Sequence, residues 1–125
     1  MLDYLINYGV ETKALEYEDI DVNDRLLLQD QINTARKNYA RCLKLLDEIQ
    51  GKYVECSKEL TKRVKQISMD PATSRLNTAL QNDDKYIELE SEQTAYKIGI
   101  DMVKNQIDYY KNDLRILNSV FYNKF

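Results

Sequence analysis

Four lysines recur at intervals of seven, Lys37, Lys44, Lys58 and Lys65, with Gly51 holding the remaining place in the series. Arg41 and Lys62 fall beside that row when the residues are placed on a helix. A helix rises 1.5 Å per residue, so each interval of seven advances roughly 10 Å along one face. A line of cations so spaced can follow a phosphate backbone. It is equally the solvated outer face that any coiled coil presents to water. Positive charge is densest, and least offset by acids, at Lys58, Lys62, Arg63 and Lys65. Those four, with Lys44 and Arg41, are the candidate nucleic-acid contacts.

Little else in the chain has residue types spaced for chemistry. There is no histidine, and the two cysteines, Cys42 and Cys56, make no Cys-x-x-Cys pair. A zinc site and a histidine-activated nucleophile are therefore not expected. On one straight helix the two thiols would stand roughly 21 Å apart, beyond disulfide reach. They read as small core residues in a reducing compartment. The three glycines are scattered, so no phosphate-cradling loop exists. Carboxylates are plentiful, but helix surfaces are where carboxylates normally lie. The expectation is a protein that is not an enzyme, with no cofactor, no metal and no small-molecule substrate.

The element that must carry the cationic row is a heptad repeat from Leu28 to Ile67. Its a positions are Ile32, Tyr39, Leu46, Tyr53, Leu60 and Ile67; its d positions are Leu28, Ala35, Cys42, Ile49, Cys56 and, as an exception, Arg63. Apolar residues three and four apart place one stripe on one side of a helix, and a strict period of seven suits a left-handed supercoil. A second repeat begins at Tyr86. Its a positions are Tyr86, Gln93, Ile100, Ile107, Leu114 and Phe121, and its d positions are Leu89, Tyr96, Val103, Tyr110 and Leu117. Ile32, Tyr39, Leu46, Ile49, Tyr53, Leu60, Ile100, Val103, Ile107, Tyr110, Leu114 and Leu117 are the expected seam.

Few turn formers separate the repeats, since the 125 residues include three glycines and one proline. Residues 1–22 form an acidic, weakly patterned segment, in which Leu2, Leu5, Ile6 and Val10 could make an amphipathic turn. Asp21 or Asn23 is the expected N-cap of the first long helix. That helix should span about residues 24–68. Asp70-Pro71 should stop it and start a short helix from Ala72 to Leu80, with Leu76 and Leu80 facing inward. Asn82-Asp83-Asp84 should then cap a second long helix over about residues 84–122. No window alternates with period two, so strands are not expected. No apolar run suits a membrane span and the N-terminus lacks the basic start of a signal peptide, so a cytoplasmic protein is expected. The expected fold is all-α: two long heptad-patterned helices in an antiparallel hairpin or coiled coil over residues 23–125, packed in cis or exchanged between chains. Gly51 and Gly99, at similar distances from the connection, mark a level where both helices could bend.

Two features point to self-assembly. Leu27, Leu43, Leu45, Ile87, Ile98 and Ile116 flank the seams and exceed what one hairpin can cover. Charge also alternates along the chain: residues 1–30 carry eight acids and two bases, residues 31–68 four and nine, residues 69–101 seven and three, and residues 102–125 two and four. Such asymmetry suits either association of opposite patches or an anionic ligand. Five of the ten tyrosines fall on the seams and read as core, whereas Tyr109 and Tyr122 fall off them.

The order of these elements resembles a known family. A basic heptad helix closes in Lys58-Glu59-Leu60-Thr61-Lys62-Arg63. A connection leads through Leu80, Asp83 and Leu89 into a final helix containing Asp101-Met102-Val103-Lys104-Asn105-Gln106-Ile107-Asp108-Tyr109-Tyr110-Lys111-Asn112-Asp113-Leu114-Arg115. Over roughly residues 45–121 this layout is similar to the UvsY-type recombination mediators of tailed phages. The resemblance implies a small helical homo-oligomer that binds single-stranded DNA, works with recombination proteins and helps load a recombinase in the host cytoplasm. It implies backbone contacts from Lys58, Lys62, Arg63 and Lys65. The competing expectation is a coiled-coil scaffold or adaptor, a virion component or phage-encoded inhibitor included, with no DNA binding.

Overall fold

The computed structural model describes residues 23–125. The amphipathic turn expected at Leu2, Leu5, Ile6 and Val10, and a cap at Asp21, lie outside the described residues. Among the described residues the chain is all-helical, with no strand. Helix α1 runs Arg25–Ser68, α2 Leu76–Gln81 and α3 Asp84–Lys124, and the two long helices pack together. None of these helices is long and apolar enough to cross a membrane.

The cap of α1 is Asp24, not Asn23. The N–H of Leu27 donates to Asp24 Oδ1 at 3.0 Å, the position-three bond that satisfies one of the orphan donors of a helix start. At the other end, Thr73 Oγ1 donates to the Ile67 carbonyl at 2.9 Å and Ser68 Oγ to the Lys65 carbonyl at 2.9 Å. Two carbonyls of the last turn thereby gain partners.

The Asp70-Pro71 pair ends α1 but does not start the next helix. Asp70 Oδ1 accepts the N–H of Ala72 at 2.9 Å, and the Asp70 carbonyl accepts that of Thr73 at 3.0 Å. This is a turn with Pro71 in its second position, where the fixed φ of proline is favoured. Helix α2 begins only at Leu76, contains six residues and buries none. Leu76 is exposed and Leu80 half-buried, so neither faces a core as the spacing suggested. Asp83 then caps α3, its Oδ1 accepting the N–H of Tyr86 at 2.8 Å.

The chain divides into two units. Among the described residues, unit 1 combines residues 23–47 with Asp101–Phe125; unit 2 is Glu48–Ile100. In unit 1, Leu28, Ile32, Ala35 and Leu117 form a buried cluster with Leu114, Val120 and Phe121 packed against it. The Arg25 guanidinium lies 6.0 Å from the Phe121 ring centre, which also meets Tyr122 edge-on. In unit 2 the stretches of α1 and α3 run antiparallel. Arg63 is bonded to Asp83, Cys56 Sγ donates to the Leu89 carbonyl at 3.3 Å, and Gln93 Nε2 donates to Ser57 Oγ at 3.0 Å. Cys56 and Ser57 meet residues further along the chain than Arg63 does, as antiparallel packing requires.

Burial follows the d positions most closely. Leu28, Ala35, Cys42, Ile49 and Cys56 are buried on α1, as are Val103, Tyr110 and Leu117 on α3. The a positions are shallower: Ile32, Ile67 and Ile107 are buried, while Tyr39, Leu46, Tyr53, Leu60, Ile100 and Leu114 are half-buried. Leu45, expected to flank the seam, is fully buried and displaces its neighbour Leu46 as the inward leucine at this level. Gly99 is buried and Gly51 exposed.

Candidate nucleic-acid interface

A cation on a helix is available to a phosphate when it projects from the solvent face and no local acid holds it. Lys58, Lys62 and Lys65 meet both conditions. They follow one another at i, i+4 and i+7 on one face of α1 in unit 2. All three are exposed and none forms an ion pair among the described residues. Lys44 and Arg41 are also exposed, but they belong to unit 1. The six candidates are thus divided between the units.

Arg63 is placed otherwise than expected. Its guanidinium is not free to meet a phosphate. Nε donates to Asp83 Oδ1 at 3.1 Å, a terminal nitrogen donates to Asp83 Oδ2, and the other terminal nitrogen donates to Gln66 Oε1 at 3.3 Å. The two-pronged pairing matches the planar fork of arginine to a carboxylate. The Asp83 carboxyl is held below its usual range, chiefly by the Arg63 hydrogen bond and then by the Tyr86 backbone N–H. The same bond raises Arg63 further. Arg63 interrupts the apolar d series because it ties α1 to the residue that caps α3.

Both cysteines are free and buried. Burial pushes the Cys42 thiol up to about 11. Burial, and secondarily the Glu92 carboxylate, raises Cys56. A thiol so raised is a poor nucleophile near neutral pH. Among the described residues no group of three or more His, Cys, Asp or Glu could hold a metal ion.

One feature of the interior escapes the a and d frame. Asn38, Gln106 and Asp113 are buried polar residues of unit 1. Asn38 lies seven residues from both Gln31 and Leu45, and Gln106 seven from both Gly99 and Asp113. These are the g positions of the two repeats, which flank the same side of an antiparallel helix pair. The signal was present as two seven-spaced rows of amides and acids, but polar side chains beside a seam ordinarily read as a solvated edge.

The fold therefore defines an all-helical protein built on two long packed helices. Compared with protein-family models, with curated proteins and with solved structures, the chain finds no match.

Proposed function

We propose that this protein is a non-enzymatic DNA recombination mediator: a self-assembling helical coiled coil that binds single-stranded DNA and assists loading of a recombinase. The observation that supports this reading is the exposed Lys58, Lys62 and Lys65 row on α1. Binding that ignores sequence needs a cationic track and little more, and assembly multiplies a short track into a longer one. Arg63 serves this function as the clamp at the base of the hairpin, not as a phosphate contact. The resemblance of the sequence layout to UvsY-type mediators supports the same ligand.

The test is a titration of fluorescent single-stranded oligonucleotides, of mixed and homopolymer sequence, against the parent and a Lys62→Glu, Lys65→Glu double variant. The variant should bind at least about ten-fold more weakly whatever the sequence. Its salt slope should flatten by roughly 0.7 for each lost phosphate contact. Its helicity and assembly should equal those of the parent, since both side chains are exposed. Equal affinities would reject DNA binding through this row. The second reading, a scaffold whose ligands are proteins, then holds; the exposed apolar residues Val54, Ile87 and Ile98 favour it.

A further inference from the structure

We infer that one side of unit 2 is a docking face for a second copy of this chain, with α1 of each copy laid over α3 of the other. The inference rests on the reading that the chain assembles, and it names the surface and the pairing. Three large apolar side chains stand exposed on the two long helices within unit 2: Val54 at 49%, Ile87 at 44% and Ile98 at 54%. Each lies at a shallow groove. Val54, Ser57, Lys58 and Thr61 line one of about 370 Å³ on α1. Ile87, Glu90, Thr94, Ala95 and Ile98 line one of about 520 Å³ on α3.

The Gln93-to-Ser57 hydrogen bond relates the two grooves. Ser57 lines the first groove, while Glu90 and Thr94, which project to one side of Gln93, line the second. Both grooves therefore open on the same side of unit 2. Their linings include small side chains at helical spacing, Ser57 and Thr61 on α1 and Ser91, Thr94 and Ala95 on α3, which leave room for the ridges of another helix.

Charge selects a copy of this chain as the occupant. The α1 stretch Glu48–Ser68 carries five bases and three acids, and the α3 stretch Asp84–Ile100 four acids and two bases. Of the side chains that line the two grooves, the charged ones are Lys58 on α1 and Glu90 on α3, so the face complements itself when turned by a two-fold axis. The level of the helices agrees. The Cys56-to-Leu89 bond sets Lys58 level with the Ile87 to Glu90 turn. A two-fold axis running along the hairpin keeps each level and exchanges the helices. It lays Lys58 of one copy by Glu90 of the other, twice, and brings Val54 against the stretch from Ile87 to Ile98. Pairing α1 with α1 would instead oppose lysine to lysine. Lys65, seven residues on from Lys58, shares its helical line but lies past the groove lining, and Lys62 lies further round the helix from Val54.

Sedimentation equilibrium of the full chain tests the proposal, using the parent, Lys58→Glu, Glu90→Lys, the double exchange, and Ile98→Lys. The parent should be assembled at micromolar concentration. Each single variant should weaken assembly at least ten-fold and move the mass to half or less. The double exchange should restore the parent's mass, because each pair again unites unlike charges. Circular dichroism should be unchanged throughout, since every substituted side chain is exposed. A monomeric parent would reject assembly itself, and with it this face. An assembled parent whose single variants do not shift would reject the face alone, as would a double exchange that fails to recover.

Discussion

Units 1 and 2 draw on the same two long helices, yet they bury them to different depths. In unit 1, Leu28, Cys42, Leu45, Val103 and Leu117 are wholly enclosed, and Asn38, Gln106 and Asp113 are buried beside them. The buried arc of α1 from Leu28 to Leu45 covers about 140° at ~100° per residue. In unit 2 only Ile49, Cys56, Ile67 and Gly99 are buried, and the remaining seam residues, Tyr53, Leu60, Leu89, Gln93 and Tyr96 among them, are half-buried. The difference is not one of residue type, since both units carry leucine, isoleucine, tyrosine and cysteine on the same seven-residue frame. It shows that a heptad sets which side of a helix is apolar, while the width of the buried strip is decided by packing. The shallower unit keeps its side chains available. It holds Lys58, Lys62 and Lys65 and both grooves.

The largest effect is expected from Leu45→Asp. A charge at a wholly enclosed site of unit 1 should cost several kcal/mol and prevent stable folding. Leu46→Asp, at a half-buried neighbour, should cost less, and Lys44→Asp should stay within about 0.5 kcal/mol. Denaturant melts followed by circular dichroism measure all three. Equal midpoints for Leu45→Asp and Lys44→Asp would refute the placement of the seam.

Truncation to alanine should also affect the two units unequally. Leu117→Ala in unit 1 should cost about 2–5 kcal/mol. Leu60→Ala in unit 2 should cost roughly half as much, because its site is already partly open. Equal losses would show that the two units share one packing density.

Smaller still is a gain at Gly51. A Cβ there meets nothing within 4 Å, and the position lies inside α1. Gly51→Ala should therefore stabilise the chain by roughly 0.5–1 kcal/mol through reduced backbone entropy of the unfolded state. A loss of melting temperature would mean that a bend or partner needs the glycine.

The last effect depends on pH. Folded Asp83 titrates below its ordinary value of about 3.9, so its pairing contributes above that value and is lost as pH falls through the lowered one. Asp83→Asn keeps an acceptor for the cap but removes the charge. Thermal melts should show a lower melting temperature than the parent near neutral pH, and a smaller fall below about pH 4. Parallel curves would mean that the Arg63–Asp83 pair adds nothing at the base of the hairpin.

Local rules placed much of this molecule. Seven-residue spacing marks both long helices, the Asp70-Pro71 pair marks the end of the first, and Asp83 marks the start of α3, because propensity, capping and periodicity are properties of neighbouring residues. The exposed lysines Lys58, Lys62 and Lys65 were legible for the same reason. Three features were decided only by the tertiary structure. Leu45 lies inside in place of Leu46 because the buried strip in unit 1 extends to the g positions, and no period along one helix states how wide its contact will be. Asn38, Gln106 and Asp113 are interior because the surroundings of an amide, not its type, determine whether it meets water. Arg63 is a clamp instead of an open cation because its partner, Asp83, lies twenty residues along the chain and is brought back to it by the turn.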